Sequence, residues 1–534
     1  MEPCDYLVIG AGAAGCVVAS RLTEDPALRV ILVEHGVRVR HPLPSIPGFS
    51  GMAMALPQYK TDFMTEPNAA LGDRRLRWTQ GRSVGGGSAI NGMVYARGYA
   101  KEYDAWARMG CTGWSFDDVL PFFKRVEHHA LGETALHGRA GPISVKPSGA
   151  RLPITEAFIA ALAASGIPRQ DDLNGNAEEG VGYHDINAGR GRRISAAVGY
   201  LEPALRRPNL DLLTNTRTVR IVFENGRACG VEVERHGVRR VLKARREVII
   251  CCGALQSPQL LMLSGIGPAD QLESFGIRVE VDAREVGRNL RNHPNFQLQY
   301  ACSAPVTAYK YMHPVRGAAC LLAYLGRRGP LAESFFAAGG YFRTEPQLDM
   351  PDVYMVAAPA LLRHNSLTLR LRDLLPKEEG FMVSLALGRP IGSGELRLNS
   401  TDAHAAPVVS SDFLAEPDDL RRLARGVGML RQMLKREAFS RYVSQEIQPG
   451  PAVEGEAAIA EAIRARGGTS YHPLGTCRMG GDAASVVDPQ LRVRGVAGLR
   501  VVDASIMPTA LNAPIHAPVL MIAEKAAALM RAGT

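Results

Sequence analysis

"DYLVIGAGAAGCVVASRL", residues 5 to 22, decides the fold. An apolar run of strand length passes straight into glycines and then into a helix of small residues. Gly10, Gly12 and Gly15 stand at G-x-G-x-x-G spacing directly after the strand. Gly10 permits the tight turn, Gly12 lets backbone approach a pyrophosphate, and Gly15 lets the helix pack on the sheet. Ala14 lies in the same turn and joins them as a candidate cofactor contact. The helix start turns its positive end toward the phosphates. "RVILVEHG", residues 29 to 36, supplies a second strand and ends in Glu34, 19 residues after Gly15. At that position a carboxylate accepts hydrogen bonds from an adenosine ribose. These features predict an α/β dinucleotide domain and leave NAD and FAD both open. The next stretch, with "HPLPSIPGFSG" at 41 to 51, is rich in proline and glycine and reads as a long connection. An NAD domain continues strand–helix–strand at this point.

Composition sets the outer limits. A chain of 534 residues has room for several domains or one interleaved pair. With 46% hydrophobic and 22% charged residues it matches globular enzymes. The formal net charge of +9 is scattered, without a run of like charges, which argues against nucleic acid as a partner. A weak preference for anionic ligands or a membrane surface stays open. Nine cysteines, an odd count with no Cys-x-x-Cys, exclude a disulfide framework and predict a reducing cytoplasm. No apolar run reaches the roughly 18 residues of a spanning helix. A strand beginning at Asp5 leaves no room for a signal peptide. The expected location is cytoplasmic, with peripheral contact at the inner membrane left open, as is the oligomeric state.

"GRSVGGGSAINGMVYARG", residues 81 to 98, places three glycines ahead of Ser88 and Asn91. Missing side chains let a ligand or another backbone come close, and loop N–H groups cradle phosphate. The flanking "INGMVYARG" is too apolar for an exposed linker. Further on, "RTVRIVFENG", "RACGVEVERHG" and "VRRVLKARREVIICCG" predict a β-meander over 217 to 253. Its last run, "EVIICCGA", reads as buried on both faces and leads into the helix "SPQLLMLSG". Residues 296 to 485 mix strands such as "GELRLNS" with a helix around 417 to 439, and "LRVVDASIMP" gives a late strand ending in Asp503. "APIHAPVLMIAEKAAALM" gives a final helix whose start is marked by Pro514 and Pro518.

The ordered blocks Gly81–Gly98, "GALQSPQLLMLSGIGP" (253–268), "YHPLGTCRMG" (471–480), "VVDASIMP" and "MIAEKAA" resemble the glucose–methanol–choline (GMC) oxidoreductases, in particular the choline-dehydrogenase-like branch. The resemblance runs from about residue 5 to about residue 528. It implies an α/β fold, α+β overall: a Rossmann-like FAD-binding domain with a β-meander, plus a substrate domain of antiparallel sheet covered by helices. The implied FAD domain is discontinuous, at 1–145, 205–295 and 486–534, and the substrate domain occupies 146–204 and 296–485. FAD contacts are implied at Arg82, Gly86, Ser88, Asn91, Gly92, Met93, Val94, Asp503, Ala504, Ala517 and Pro518, with Val219 where backbone meets adenine. Some members attach FAD through a histidine just before the Asn91 position. This chain has Ile90 there, which predicts non-covalent FAD.

Two histidines remain to be read. His472, next to Pro473, reads on its own as a base, a metal ligand with Cys477 or a loop residue. Metal binding fails on spacing, since no second Cys/His pair accompanies these two. A serine hydrolase lacks its G-x-S-x-G elbow. The resemblance implies a catalytic pair, His472 and His516. Many choline-dehydrogenase-like members read Asn-Thr-Asn-Ala-Pro where this chain reads Pro514-Ile515-His516-Ala517-Pro518, so it resembles the His–His members. Alcohol oxidation requires loss of the hydroxyl proton and hydride transfer to flavin N5, and a base that titrates near neutrality suits the first event. His472 is expected to be that base. His516 is expected to hold the alkoxide oxygen or share the role, and the helix start behind it to stabilise negative charge on reduced flavin. His293, His128, His129 and Cys477 are read as structural or surface residues. The expected activity is FAD-dependent oxidation of an alcohol CH–OH group to aldehyde or ketone, with a quinone, a dye or O2 as acceptor. The alternatives are a hydroxynitrile-lyase type and a flavin-binding module without catalysis. Aliphatic, aromatic and polyol alcohols and choline all stay open as substrates.

Overall fold

Strand β1 (Cys4–Ile9) and helix α1 (Ala13–Leu22) take up the first apolar run and the small-residue run that follows it. The computed structural model describes residues 3–175, 178–361 and 375–532. Strands β2 (Val30–Val33), β3 (Leu210–Leu213), β4 (Arg217–Glu224), β5 (Arg227–Arg235), β6 (Val238–Ile250) and β7 (Leu499–Val501) complete a seven-stranded sheet. Its order is β3-β2-β1-β6-β5-β4, with β7 paired to β6. Pairings from β3 through β1 to β6 and β7 are parallel, and those among β6, β5 and β4 are antiparallel. Helices cover both faces of a parallel sheet, so its strands are apolar throughout, as in the wholly buried "VILV" of β2.

β6 belongs to two structures at once. It pairs with β5 from Val238 to Lys243 and with β1 from Ala244 to Ile250. The meander's two hairpins close on Asn225-Gly226 and His236-Gly237, all four at positive φ, as the twist of the strands demands. Gly15 is fixed by contact: a Cβ there would lie 1.9 Å from the Gly10 carbonyl oxygen. That contact sets α1 down on the end of β1.

The last helix, His516–Ala532, packs along α1 and is buried over its first three turns. Burial of Leu520 and Ile522 stabilises the fold by roughly 1.5–3 kcal/mol each. Arg21 of α1 pairs with buried Glu524 at 2.8 Å, and the Tyr200 hydroxyl donates to the same carboxylate at 2.6 Å. Sequence reading put His516 ahead of this helix; it is instead the first helical residue, and Pro518 occupies the first turn. Proline is tolerated there because no N–H is required of it.

A second seven-stranded sheet is antiparallel. Its order is Val443–Gln448, Pro294–Cys302, Gly380–Leu387, Val353–Ala358, Ala338–Phe342 and Gly180–Tyr183, with Gly468–Thr469 beside the start of Pro294–Cys302. Helix Pro417–Met433 lies on it through Leu420, Leu423, Val427 and Leu430, an i, i+3, i+7 stripe. The strand expected in "GELRLNS" forms at Glu395–Arg397. It pairs outside this sheet, with Val408–Ser410, a partner one short loop away that satisfies its peptide groups first.

A four-stranded sheet joins Val94–Tyr95, Asp185–Ile186, Ile143–Pro147 and Glu127–His129. Beside it lies a buried charge cluster. Arg97 Nε donates to Glu127 at 2.9 Å, and His137 donates from Nδ1 to Glu127 at 3.1 Å and from Nε2 to Asp172 at 2.9 Å. The His129 ring stacks on His137 at 3.8 Å between centroids. Burial alone would lower the His137 pKa, but Asp172 and Glu127 raise it to about 9. Burial likewise pushes the Glu127 carboxyl up, and His137 and Arg97 override that push to hold it below the ordinary range.

Candidate active site

The C-terminal ends of β1, β2 and β6 open into one crevice, where ligands bind in open α/β sheets. Its narrow end, about 100 Å³, lies between Gly10, Glu34, Arg82 and Arg217. It runs past Gly12, Gly86 and Cys252, which line both parts, into a cavity of about 720 Å³. Glu34 is buried at 6% exposure and accepts from the Ala11 N–H at 2.8 Å and the Gly36 N–H at 2.6 Å. Burial raises its pKa and those two bonds act against the rise. A carboxylate accepts at about four lone-pair positions, so two remain for a ligand hydroxyl pair. Gly86 crosses α1 so closely that a Cβ would lie 2.8 Å from Gly12 Cα. The loop and the start of α1 therefore form one surface of peptide groups at the positive end of a helix.

Arg193 anchors that loop from behind. It is 3% exposed and donates to the carbonyls of Pro44 at 2.7 Å and Asn91 at 2.7 Å. Another bond reaches the Asn91 side-chain oxygen, which also accepts from the Met93 N–H at 3.1 Å. Burial lowers the Arg193 pKa to about 9. Asp503 has both oxygens engaged, accepting from Gly253 N–H at 2.9 Å, Ser257 Oγ at 2.5 Å and Ser505 N–H at 2.8 Å. It joins the end of β6 to the turn after β7.

At the wide end, His472 and His516 line the same cavity wall system, contributed by the two late sequence blocks. His472 is set by three neighbours. Asn292 Oδ1 accepts from the His472 N–H at 2.9 Å and from the His293 N–H at 2.8 Å, so one amide fixes both backbones. His293 Nδ1 and His472 Nδ1 are 3.0 Å apart, and the Tyr354 hydroxyl is 3.2 Å from each. Two imidazole nitrogens at that distance share one proton. The carbonyls of Leu511 and Gly388 favour a proton on the His293 ring, although its Nε2 makes no hydrogen bond within the chain. In the arrangement where His293 Nδ1 accepts, His472 donates from Nδ1 and keeps the lone pair on its Nε2.

Electrostatics keep these rings neutral. Burial, then the charge of His293, holds His472 well below the ordinary histidine range. Burial lowers His293 to about 4. Burial and the Arg193 charge lower His516 to about 4. The His516 Nε2 atom is buried and makes no hydrogen bond within the chain. Burial also raises the thiols of Cys251 and Cys252, which line the crevice, so neither is a ready nucleophile. No cluster of metal-ligating side chains occurs among the described residues.

Most expected contacts meet in this crevice: Gly10, Glu34 and Arg82 at the narrow end, and Ala14, Ser88, Asn91, Gly92, Met93, Val94, Asp503 and Ala504 in the wide part. Gly15, Val219, Ala517 and Pro518 do not line it. Gly15 is spent on packing, and Thr216 to Thr218 border the narrow end in place of Val219. Ala517 is fully buried at the start of the last helix, where Val519 N–H already bonds to Ile515. Sequence reading missed Tyr354, Asn292 and Arg193, and set His293 aside as structural although it touches His472. "NLRNHP" and "RRISAAVGYL" carried the signal for three of these; nothing in the sequence marks Tyr354.

Comparison with known proteins agrees with this geometry. A family profile described as GMC oxidoreductase matches residues 4–295 with its N-terminal part and 390–523 with its C-terminal part. An oxygen-dependent choline dehydrogenase of Sinorhizobium fredii is 38% identical over 98% of this chain and 94% of its own. The mitochondrial choline dehydrogenase of Homo sapiens is 37% identical over 98% of this chain and 89% of its own. Among solved structures, pyridoxine 4-oxidase from Mesorbium loti superposes with TM-score 0.88 and 30% identity, covering 99% of each chain. An Aspergillus oryzae formate oxidase variant, solved in relation to FAD modification, superposes with TM-score 0.92 and 25% identity, covering 100% of this chain and 98% of its own.

Proposed function

The chain belongs to the GMC oxidoreductase family, and from that premise we propose which of its residues hold the cofactor and which act on the alcohol. It is an FAD-dependent oxidoreductase of alcohol donors. The crevice fits FAD by the chemistry of its donors. Glu34 keeps two acceptor positions for a ribose diol, the start of α1 and the Gly86 loop present peptide N–H groups to a pyrophosphate, and the wide cavity takes the ring system. Bound FAD supplies the two-electron acceptor for the alcohol C–H bond. FAD is held non-covalently: Ile90 packs with Ala53, Tyr59 and Ala89, and the cysteines of the crevice stay protonated. Acid-denatured protein should release all its flavin to the supernatant.

The observation that carries the reading is a pair of buried imidazoles on one cavity, His472 with its Nδ1 3.0 Å from His293 Nδ1 and His516 with an unpartnered Nε2. His472 takes the hydroxyl proton on Nε2. His516 donates a hydrogen bond from Nε2 to the same oxygen and holds it. Charging His472 in a buried site is costly until an oxyanion forms beside it, so proton removal is tied to the chemical step. Arg193 adds a positive field from behind the Asn91 loop. The lyase and inactive-module alternatives have less support, since the relatives carry dehydrogenase and oxidase names and both imidazoles are present.

Choline enters only through those relatives. Arg74, Arg77 and Arg466 border the wide cavity, and its only carboxylate among the described residues is Asp503, whose oxygens are engaged. Strand Pro294–Cys302 turns three amides toward it, Asn295, Gln297 and Gln299. The substrate is therefore a polar alcohol without a cationic group, and one bearing a carboxylate is favoured over choline. A quinone or O2 serves as acceptor. Nine free thiols support a cytoplasmic location, and 1–145, 205–295 and 486–534 remain our division of the FAD domain. Anaerobic mixing with matched ω-hydroxy acids, neutral alcohols and choline tests this directly. The flavin should bleach fastest with the hydroxy acids. Fastest bleaching with choline defeats the substrate reading, and no bleaching with any alcohol defeats the reaction.

A further inference from the structure

Helix Pro314–Leu325 inverts the usual rule of burial. An apolar helix on a soluble surface turns its apolar stripe inward. This one buries Cys320 and Tyr324 and tucks Gly317 partly away, a single narrow stripe. Most of what remains outside is larger and more apolar. Val315 is 71% exposed, Leu321 56%, Leu322 68% and Leu325 81%. At 100° per residue, Leu321, Leu325, Ala318, Leu322, Val315 and Ala319 form one continuous face opposite the buried stripe. Met312, just before the helix, adds to it at 42% exposure. Contiguous apolar surface of this kind marks a docking site.

Charge identifies what docks. Lys310 and His313 precede the helix, Arg316 lies in its first turn and Arg327 and Arg328 follow it, and residues 303 to 332 contain no Asp or Glu. The segments packed against the helix, at 308–312 and 330–332, contain none either, nor does 47–55, which packs on 330–332. The cations are spread along aromatic stems: Arg327 lies over the Tyr324 ring at 5.1 Å and Lys310 over Tyr311 at 5.2 Å. A second copy of the chain meeting this face about a two-fold axis would bring cations onto cations. An anionic bilayer accepts both features, the leucines among acyl chains and the cations at the headgroups. The helix has 12 residues and no helix among the described residues is long and apolar enough to cross a membrane, so it lies along the surface.

We propose that helix Pro314–Leu325, with the basic residues at its two ends, docks this protein on the surface of an anionic lipid bilayer. The 330–332 segment connects the helix to residues 47–55, where Gly51 and Met54 line the wide cavity, so docking bears on a wall of the active site.

Co-sedimentation of the full-length holoenzyme with vesicles tests this. Binding should be about tenfold tighter to phosphatidylcholine vesicles containing phosphatidylglycerol than to phosphatidylcholine alone. The double variant Leu322→Glu/Leu325→Glu should lose at least about tenfold, and Arg327→Gln/Arg328→Gln a similar factor on anionic vesicles only. FAD content and flavin reduction by a soluble alcohol, unchanged in both variants, establish that they are folded. Undiminished binding by the Leu→Glu variant, or failure of the parent protein to bind anionic vesicles, overturns the proposal. So does vesicle-free self-association that the Leu→Glu variant abolishes, which makes the face a contact between copies.

Discussion

Buried histidines in two parts of this molecule, His137 and the set His472, His293 and His516, are pushed in opposite directions by their surroundings. His137 lies between Glu127 and Asp172 with Arg97 alongside, and its pKa is raised to about 9. His472 and His516 border a cavity without a free carboxylate, His293 touches His472 from outside its lining, and all three are lowered. Burial alone pushes a histidine toward neutrality, and only an adjacent acid reverses it. An imidazolium between two acids is a cross-link; an imidazole with an open lone pair is a base. The difference teaches that a histidine's partners, more than its depth, decide whether it holds structure together or does chemistry.

The contrast breaks most sharply at His472. His472→Ala should slow anaerobic flavin reduction by alcohol by about 10²–10⁴-fold while FAD stays bound, the range expected for loss of a general base. His137→Ala should leave the rate per bound flavin nearly unchanged. Equal loss in both, measured by stopped-flow absorbance, would erase the distinction.

On the structural side, Glu127→Gln leaves Arg97 buried with a weakened partner. It should cost about 3–5 kcal/mol in denaturant unfolding, again with little change in rate per flavin. His293→Phe sharpens the catalytic side. Without the Nδ1 acceptor, His472 loses its set tautomer, and reduction should slow about 10–100-fold, with partial recovery in His293→Gln. A purely packing role predicts no difference between Phe and Gln.

The mildest test is pH. His137 is raised, so its stabilisation is complete below the unfolded value of about 6.5 and is lost as pH climbs through about 9. His516 and His293 are lowered, so stability is full above about 6.5 and falls as pH drops toward 4. Each limb has a slope of at most about 1.4 kcal/mol per pH unit per group. Thermal melts of His137→Gln should flatten the alkaline limb and leave the acid limb; flattening of both would contradict the assignment.

The parts legible in the sequence were those with local chemistry. Gly10 and Gly15 announced a turn because a side chain at either would meet backbone, and Asn225-Gly226 and His236-Gly237 announced hairpins through residues that tolerate positive φ. His472 and His516 stood inside long ordered blocks. The support behind His472 was illegible because it arises from sheet packing: Tyr354 arrives on a strand 118 residues away, and nothing near it distinguishes it from an ordinary core tyrosine. The exchange of roles along β6, hairpin strand then parallel strand, showed in the sequence as the change from charged "VRRVLKARR" to apolar "EVIICCGA".

That strand has a consequence for biogenesis. The parallel half of β6 is flanked by β1 near the amino end and by β7 close to the carboxyl end, and the helix after β7 begins with His516. These two pieces follow the rest of the crevice in chain order, so until β7 and that helix join, β6 keeps an open edge and the crevice lacks the wall that carries His516.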